Sequence, residues 1–420
     1  MSLRTAFASL APEQRSAFLA AFLGWTLDAF DFFLVTFVVV RIAHDFARAI
    51  PEVTGAITLT LMFRPLGALI FGWLGDRYGR RVPLMIDVVL YSLLELLTAF
   101  APTFAVFLVL RSLYGIAMGG EWGLGAALAM ESLPPHRRGL FSGILQEGYM
   151  VGYLLAALAN LAVFTLTPWG WRALFALGAL PALLVFYIRA HVRESPVWQA
   201  RARRGTGAEI RVVARAFVAH WPLTLYAILF MAAFNYMSHG TQDLYPTFLE
   251  KQRGLGPAFV SLLASLSAVG AIAGGIVFGA LSQRYGRRAM IALCAVLGAT
   301  LVPLWVFSNG IALLALGGFA MQFMVQGAWG IIPAHLNELS PNAIRATFPG
   351  FTYQLGNLLS ANAAQLEATF AATRFALPGG GADYARALAT IALVVFAAVF
   401  VLALAGYAIA PERRESLLEA

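Results

Sequence analysis

The sequence predicts an all-α membrane protein: twelve transmembrane helices in two pseudo-symmetric six-helix bundles. Three observations predict it. Of the 420 residues, 60% are hydrophobic and only 12% charged, with a mean hydropathy of +0.76, whereas a soluble domain carries about 25% charged residues. Apolar runs long enough to cross a bilayer recur along the whole chain. Finally, GWLGDRYGRR at 72–81 returns as GALSQRYGRR at 279–288, an offset of 207 residues.

The spans follow in order from the polar breaks. They fall at 17–41, 53–75, 83–101, 104–131, 139–165, 170–190, 220–248, 258–282, 288–307, 310–336, 344–370 and 384–409. Most are near the ~20 residues that cross ~30 Å of hydrocarbon, and the longer ones tilt or protrude. The residues ahead of the first run are polar or mixed and lack a small-residue cleavage site, so that run is expected to stay as a span. With both termini in the cytoplasm, most of the 29 Lys and Arg fall on that side and, away from span ends, only Arg64 and Arg111 lie within spans. Basic residues set orientation this way in plasma or inner membranes. The chain then divides into an N-terminal bundle (1–190), a cytoplasmic linker (191–219) and a C-terminal bundle (220–420).

The net charge of +8 is accounted for by those topology-setting arginines, so no nucleic acid partner is expected. The lone Cys294 cannot form an internal disulfide. No Cys/His cluster suggests a metal, and no cofactor is implied. The chain carries no H-E-x-x-H, no nucleophile elbow and no long soluble segment, which argues against an enzyme or a sensor.

The same offset maps Gly120 onto Gly327, Trp122 onto Trp329, Gly123 onto Gly330, Glu131 onto Glu338, Pro134 onto Pro341 and Arg138 onto Arg345. The halves are therefore a duplicated fold, an arrangement known among secondary transporters. GWLGDRYGRR resembles the loop between helices two and three of the major facilitator superfamily, G-x-L-x-D-R-x-G-R-R. That resemblance implies a central cavity opening alternately to each side, lined by helices one, four, seven and ten. The motif itself reads as mechanical. Gly72 and Gly79 allow close approach and a tight turn. Asp76 can latch the inner end by pairing with arginine or capping a helix. Arg77, Arg80 and Arg81 anchor the loop. Gln283 replaces Asp76 in the second copy, so that latch should be weaker. Glu131 with Arg138, and Glu338 with Arg345, are expected to extend the network.

Other charges break the repeat. Asp28 maps to Asn235, Asp31 to Ser238, Arg64 to Ala271, Arg111 to Gly318, Glu121 to Ala328 and Glu147 to Gln354. The duplicated scaffold manages without these charges once, so they point to function. Intramembrane charge costs roughly 2.5–3.5 kcal/mol and should face the interior with a partner. Asp28 and Asp31 share one helix face. Two carboxylates so close in low dielectric resist double ionisation, as a proton carrier requires. Arg111 is the expected counter-ion, as in the superfamily's pairing of a first-helix Asp with a fourth-helix Arg. Glu121 and Glu147 are further proton candidates, and Glu95 is expected to be peripheral or paired. Arg64 stands about 18 Å above Asp76 by helix rise, deep enough for the cavity or for helix packing.

In the seventh span, Asn235, Ser238, His239, Gln242 and Asp243 fall within about 140° of arc, a single polar stripe ending near Pro246. Such a stripe packs on another helix or lines a wet cavity. It matches N-x-x-[S/T]-H-x-[S/T]-Q-D-x-x-x-T through Thr241 and Thr247, and so resembles the lactate/pyruvate–proton symporters of the sialate:proton symporter family. The resemblance implies a small carboxylate and a proton as partners. The chemistry agrees: Arg111, Asn235, His239 and Gln242 supply donors, with Arg64 in reserve, and Gln146, Tyr353, Gln354 and Asn357 could hold a hydroxyl or keto group. Asp243 would repel an anion and is expected to orient His239 or hold the proton. The expected function is symport of L-lactate or pyruvate with a proton by a monomer. Sialate or aromatic acids are the alternative. An exporter is disfavoured, because GYMVGYLLAAL in the fifth span has no proline.

Overall fold

The computed structural model describes residues 3–48, 50–166, 170–203, 210–377 and 381–412. Part of the expected linker (204–209) and the last residues of the expected second bundle (413–420) lie outside these. The described residues form twelve helical rods. They are α1 (Pro12–Asp45), α2 (Ile50–Tyr78), α3 (Arg81–Ala99), α4 (Phe104–Met118 then Glu121–Ser132), α5 (Arg138–Gln146 then Gly148–Leu166) and α6 (Gly170–Leu177, resuming as Leu184–His191). The second half has α7 (Trp221–Gln242 then Tyr245–Lys251), α8 (Pro257–Tyr285), α9 (Arg287–Val306), α10 (Ile311–Trp329 then Ile332–Leu339), α11 (Thr347–Ser360 then Ala363–Thr369) and α12 (Tyr384–Ile409). Short helices Pro196–Arg203 and Ile210–Ala219 lie between α6 and α7.

Among the described residues, nine helices are long and apolar enough to cross a membrane unaided. The other three rods, α5, α7 and α11, break at polar residues: Glu147, Asp243 and Asn362. Pro246 opens the second segment of α7, where its missing N–H costs nothing. Close helix contact comes from small residues, as is usual where lipid offers no hydrophobic drive between helices. Gly115 and Gly119 of α4 lie against the backbone carbonyls of Thr60 and Arg64 on α2. Gly270 and Gly274 of α8 lie likewise against Phe319 and Phe323 of α10.

The end that holds the start of α1 and the finish of α12 is shut by two seams related by the repeat. At one, Gly72 and Gly123 press on Thr347 and Gly350 of α11; at the other, Gly139 and Gly143 of α5 press on Gly279 and Gly275 of α8. Asp76 spans the first seam. Its carboxylate accepts from the Ala346 N–H (3.1 Å), the Thr347 N–H (3.0 Å) and Thr347 Oγ1 (2.7 Å). This caps the N-terminus of α11, where backbone donors and the helix dipole favour negative charge. At the second seam, Gln283 Oε1 accepts the Gly139 N–H at 3.3 Å and is shared with Arg287 Nη2 at 2.8 Å.

The charge network is paired differently from expectation. Glu131 takes Arg80 in a two-point bridge (3.1 and 2.8 Å), and Glu338 takes Arg287 with the same two distances. Arg138 turns its Nε to the Met130 carbonyl and Arg345 reaches Asn342. The reason is geometric: the bidentate fork of Arg80 and Arg287 faces the carboxylates across the helix ends, the strongest pairing available to them. Burial works against charge on Arg80, but Glu131 and Asp76 outweigh it and raise its pKa above the ordinary value. Arg77 is exposed, its guanidinium over Trp73 and Tyr78.

Two residues not anticipated complete these ends. Glu194 accepts the N–H groups of Arg80 and Arg81 at the start of α3, and Glu412 those of Arg287 and Arg288 at the start of α9. Gly79, at φ +96, leaves the space Glu194 occupies; Gly286 at φ +105 repeats the turn.

Candidate functional site

A cavity of about 290 Å³ lies between the halves. Its walls come from α1, α2 and α5 on one side and α7, α8, α10 and α11 on the other. The lining positions lie at mid-helix and toward the end away from the seams. The floor is aromatic. Tyr353 and Trp329 meet edge-on there, centroids 5.8 Å apart, and Trp122 backs them from behind the floor, tilted 4.7 Å from Tyr353 and 6.5 Å from Trp25. Gln146 ties the floor together, accepting from Trp25 Nε1 through its carbonyl (3.3 Å) and from Trp122 Nε1 through its side chain (3.4 Å).

Of the expected residues, Arg64, Gln146, Asn235, His239, Gln242, Asp243, Tyr353 and Asn357 all line this cavity. His239 Nδ1 meets Asp243 Oδ2 at 3.1 Å, an i,i+4 pair about one-third exposed. Gln242 donates to Gln322 Oε1 at 2.7 Å, and Gln322 donates on to Thr241. The amide of Asn235 donates to its own helix, at Met231 O.

Arg111 is elsewhere. It bonds Glu95 at 2.6 Å with both side chains fully buried, lies over Tyr114, and lines no part of the cavity. The counter-ion of Asp28 is Arg64, at 3.5 Å. Arg64 thus takes the place expected of Arg111, and the reason lies in packing. The glycines of α4 draw α2 tight against it, so α2 forms the wall and α4 stands behind. For the same reason no lining residue comes from the fourth helix. Asp31 is buried behind the wall with neither carboxylate oxygen hydrogen-bonded, near Glu95 at Gly178. Glu121 is buried against Gly24, and Glu147 against Gly275, also without partners.

The Major Facilitator Superfamily model matches residues 20–364. The chain belongs to the major facilitator superfamily. It is 32% identical over 415 residues to the carboxylic acid transporter protein homolog of Saccharomyces cerevisiae, covering 91% of this chain and 67% of that protein. It is 30% identical over 414 residues to the probable 4-methylmuconolactone transporter of Cupriavidus pinatubonensis, covering 97% and 93%. Among solved structures it resembles the proton:xylose symporter XylE bound to 6-bromo-6-deoxy-D-glucose, with TM-score 0.73, 17% identity, and 96% and 98% covered; this likeness concerns the fold. The superfamily is one of membrane transporters rather than enzymes.

Sequence reasoning missed four buried polar groups of this superfamily member, two of them in the cavity wall. Gln322 and Gln326 line it from α10. Glu367 of α11 lies beside Gly240, both carboxylate oxygens buried and unbonded. Asp87 of α3 is likewise buried and unbonded within the N-terminal half. A search for glutamines and acids within spans would have marked all four.

Proposed function

We propose that the protein is a proton-coupled symporter of small monocarboxylates, L-lactate or pyruvate among them, working by alternating access. The observation that carries this reading is the Arg64–Asp28 pair at the cavity wall. Arg64 is the cavity's one guanidinium among the described lining residues, and it is already held by a carboxylate. A substrate anion competes with Asp28 for it. A proton on Asp28 releases the guanidinium, and the substrate carboxylate takes its place as a charge-assisted partner. Binding thus draws a proton in with the anion. Loaded with both, the site can be occluded without leaving an uncompensated buried charge; loaded with one, it cannot. His239, oriented by Asp243, and Gln242 hold the far end of the substrate.

The 1–190 and 220–420 bundles rock about the cavity, and the seams at the end that holds the start of α1 and the finish of α12, taken as cytoplasmic, are closed while the cavity faces outward. The named activities of the yeast and Cupriavidus relatives support an organic acid as cargo. The test is uptake of labelled acids into vesicles holding the purified protein. Lactate or pyruvate should accumulate with an inward proton gradient and not without one. Equal uptake in both would overturn the proposal.

A second reading is favoured by the cavity's aromatic walls, which include Phe32, Phe33, Tyr149 and Tyr153. Its volume approaches the roughly 300–1,000 Å³ typical of sites for larger organic ligands. A ring-bearing acid, aromatic or sialate-like, would use both. Competition by such acids at lower concentration than lactate would decide for it.

A further inference from the structure

Glu147 is used by neither the cavity nor the charge network at the inner end. It stands at the break of α5, one residue past Gln146 of the floor. It lies in the seam between α5 and α8, its Oε1 so close to Gly275 that a Cβ there would overlap it. The residue is 3% exposed, and neither carboxylate oxygen has a hydrogen-bond partner.

The packed elements bring no charge to it. From α8 come Gly275 and Gly279; from α10 comes the Gln326 carbonyl, 3.3 Å from the Gly275 Cβ position, and Gly330. From α1 come Trp25 and Thr26, at neighbouring Gly148. The titratable groups on and around these elements lie elsewhere: Asp31 of α1 is at Gly178 beside Glu95. Asp28 faces Arg64, Arg287 and Glu338 hold each other nearer the inner end, and His335 of α10 lies edge-on to Phe230. A buried carboxylate among carbonyls and glycines, with no donor and no cation, is costly when ionised and tolerable when neutral.

The repeat supplies the comparison. The related position is Gln354, whose polar side-chain atoms are also buried without partners. An amide therefore satisfies the shape of the fold at this place. What Glu147 adds is a proton that can leave.

We propose that Glu147 is a proton site of the inner seam, separate from the substrate cavity. The seam closes on the protonated carboxyl. Opening of the inner end hydrates the group and lets its proton go to that side. The proposal rests on the alternating-access reading above, but not on the substrate or on Asp28. The closed form holds one more proton than the open form, so acid favours closure. For one linked proton, the closed-to-open ratio changes at most about tenfold per pH unit.

The experiment measures closure directly. Tyr78 and Tyr285, both exposed at the inner ends of α2 and α8, are replaced by cysteine in a Cys294→Ala background and spin-labelled, and their separation is read by double electron–electron resonance. In otherwise native protein, the short-distance population should grow several-fold between about pH 8 and about pH 5. Glu147→Gln should hold it high across that range. Glu147→Asp, which keeps a titratable group, should restore pH dependence. Asp28→Asn should leave this pH response in place even where it abolishes gradient-driven uptake, which separates failure of this proposal from failure of the symport reading. A response in Glu147→Gln equal to the native one would overturn the proposal, as would a native distance insensitive to pH.

Discussion

At the scale of single residues, Arg64 and Arg111 carry the same charge at similar depth, and packing gives them different work. Arg64 reaches the cavity; Arg111 is sealed against Glu95, Tyr114 and Phe175. Arg64→Ala should weaken carboxylate binding by about 10- to 100-fold, since a hydrogen bond to a charged group contributes about 1.5–3 kcal/mol. Titration calorimetry on the purified variant checks this. Arg111→Ala should leave affinity within a few-fold but strand Glu95 in the core. Breaking a buried pair costs about 3–5 kcal/mol, so a markedly lowered Tm is expected. Affinity lost with Arg111 and kept with Arg64→Ala would reverse the assignment. In the sequence both stand alone in apolar runs, and only the superfamily resemblance favoured Arg111. The deciding feature, glycine contact between α2 and α4, depends on which helix faces meet.

At the scale of elements, the two seams share a backbone design and differ in one side chain. The Asp76 carboxylate takes two N–H groups and a hydroxyl at the start of α11, whereas the neutral Gln283 amide takes the Gly139 N–H of α5 with an oxygen it shares with Arg287. A carboxylate at a helix N-terminus contributes about 0.3–1 kcal/mol at the surface and up to ~2 kcal/mol when partly buried. Asp76→Ala should therefore open the inner end several-fold more than Gln283→Ala does, read with the same Tyr78 and Tyr285 label pair. Equal effects would mean that the glycine contacts alone hold the seams. Gly143→Leu should open the inner end more severely, because any Cβ at Gly143 runs into the Gly275 carbonyl.

This level was partly legible. Asp76 was recognisable as a latch from its motif, but its partner, the backbone of α11, carries no side-chain signal. Glu131 and Glu338 were seen as network members, but not their two-point partners Arg80 and Arg287, since a neighbour at the same helix end looks closer in sequence than an arginine across it.

At the scale of the molecule, the duplication was the most legible feature. Motif, glycines, tryptophans and acidic residues return at one offset, and the structure turns them into paired seams and the Trp122–Tyr353–Trp329 cluster. The polar stripe of the seventh helix was also legible, because Asn235, His239, Gln242 and Asp243 are costly anywhere but in a wet interior. The rest of the lining was less so: Arg64 had two possible roles, and Gln322 and Gln326 of α10 are two polar residues in an otherwise apolar run.

The central claim is that a substrate carboxylate displaces Asp28 from Arg64 and that Asp28 takes a proton as it leaves. The most direct measurement is proton uptake on binding, followed with a pH indicator in weakly buffered solution as carboxylate is titrated into the purified protein. The account predicts uptake of roughly one proton per bound anion, because the displaced carboxylate is buried and must be neutralised. It predicts that Asp28→Asn binds the anion without that uptake. Binding without proton uptake in the native protein, or undiminished uptake in Asp28→Asn, would contradict it.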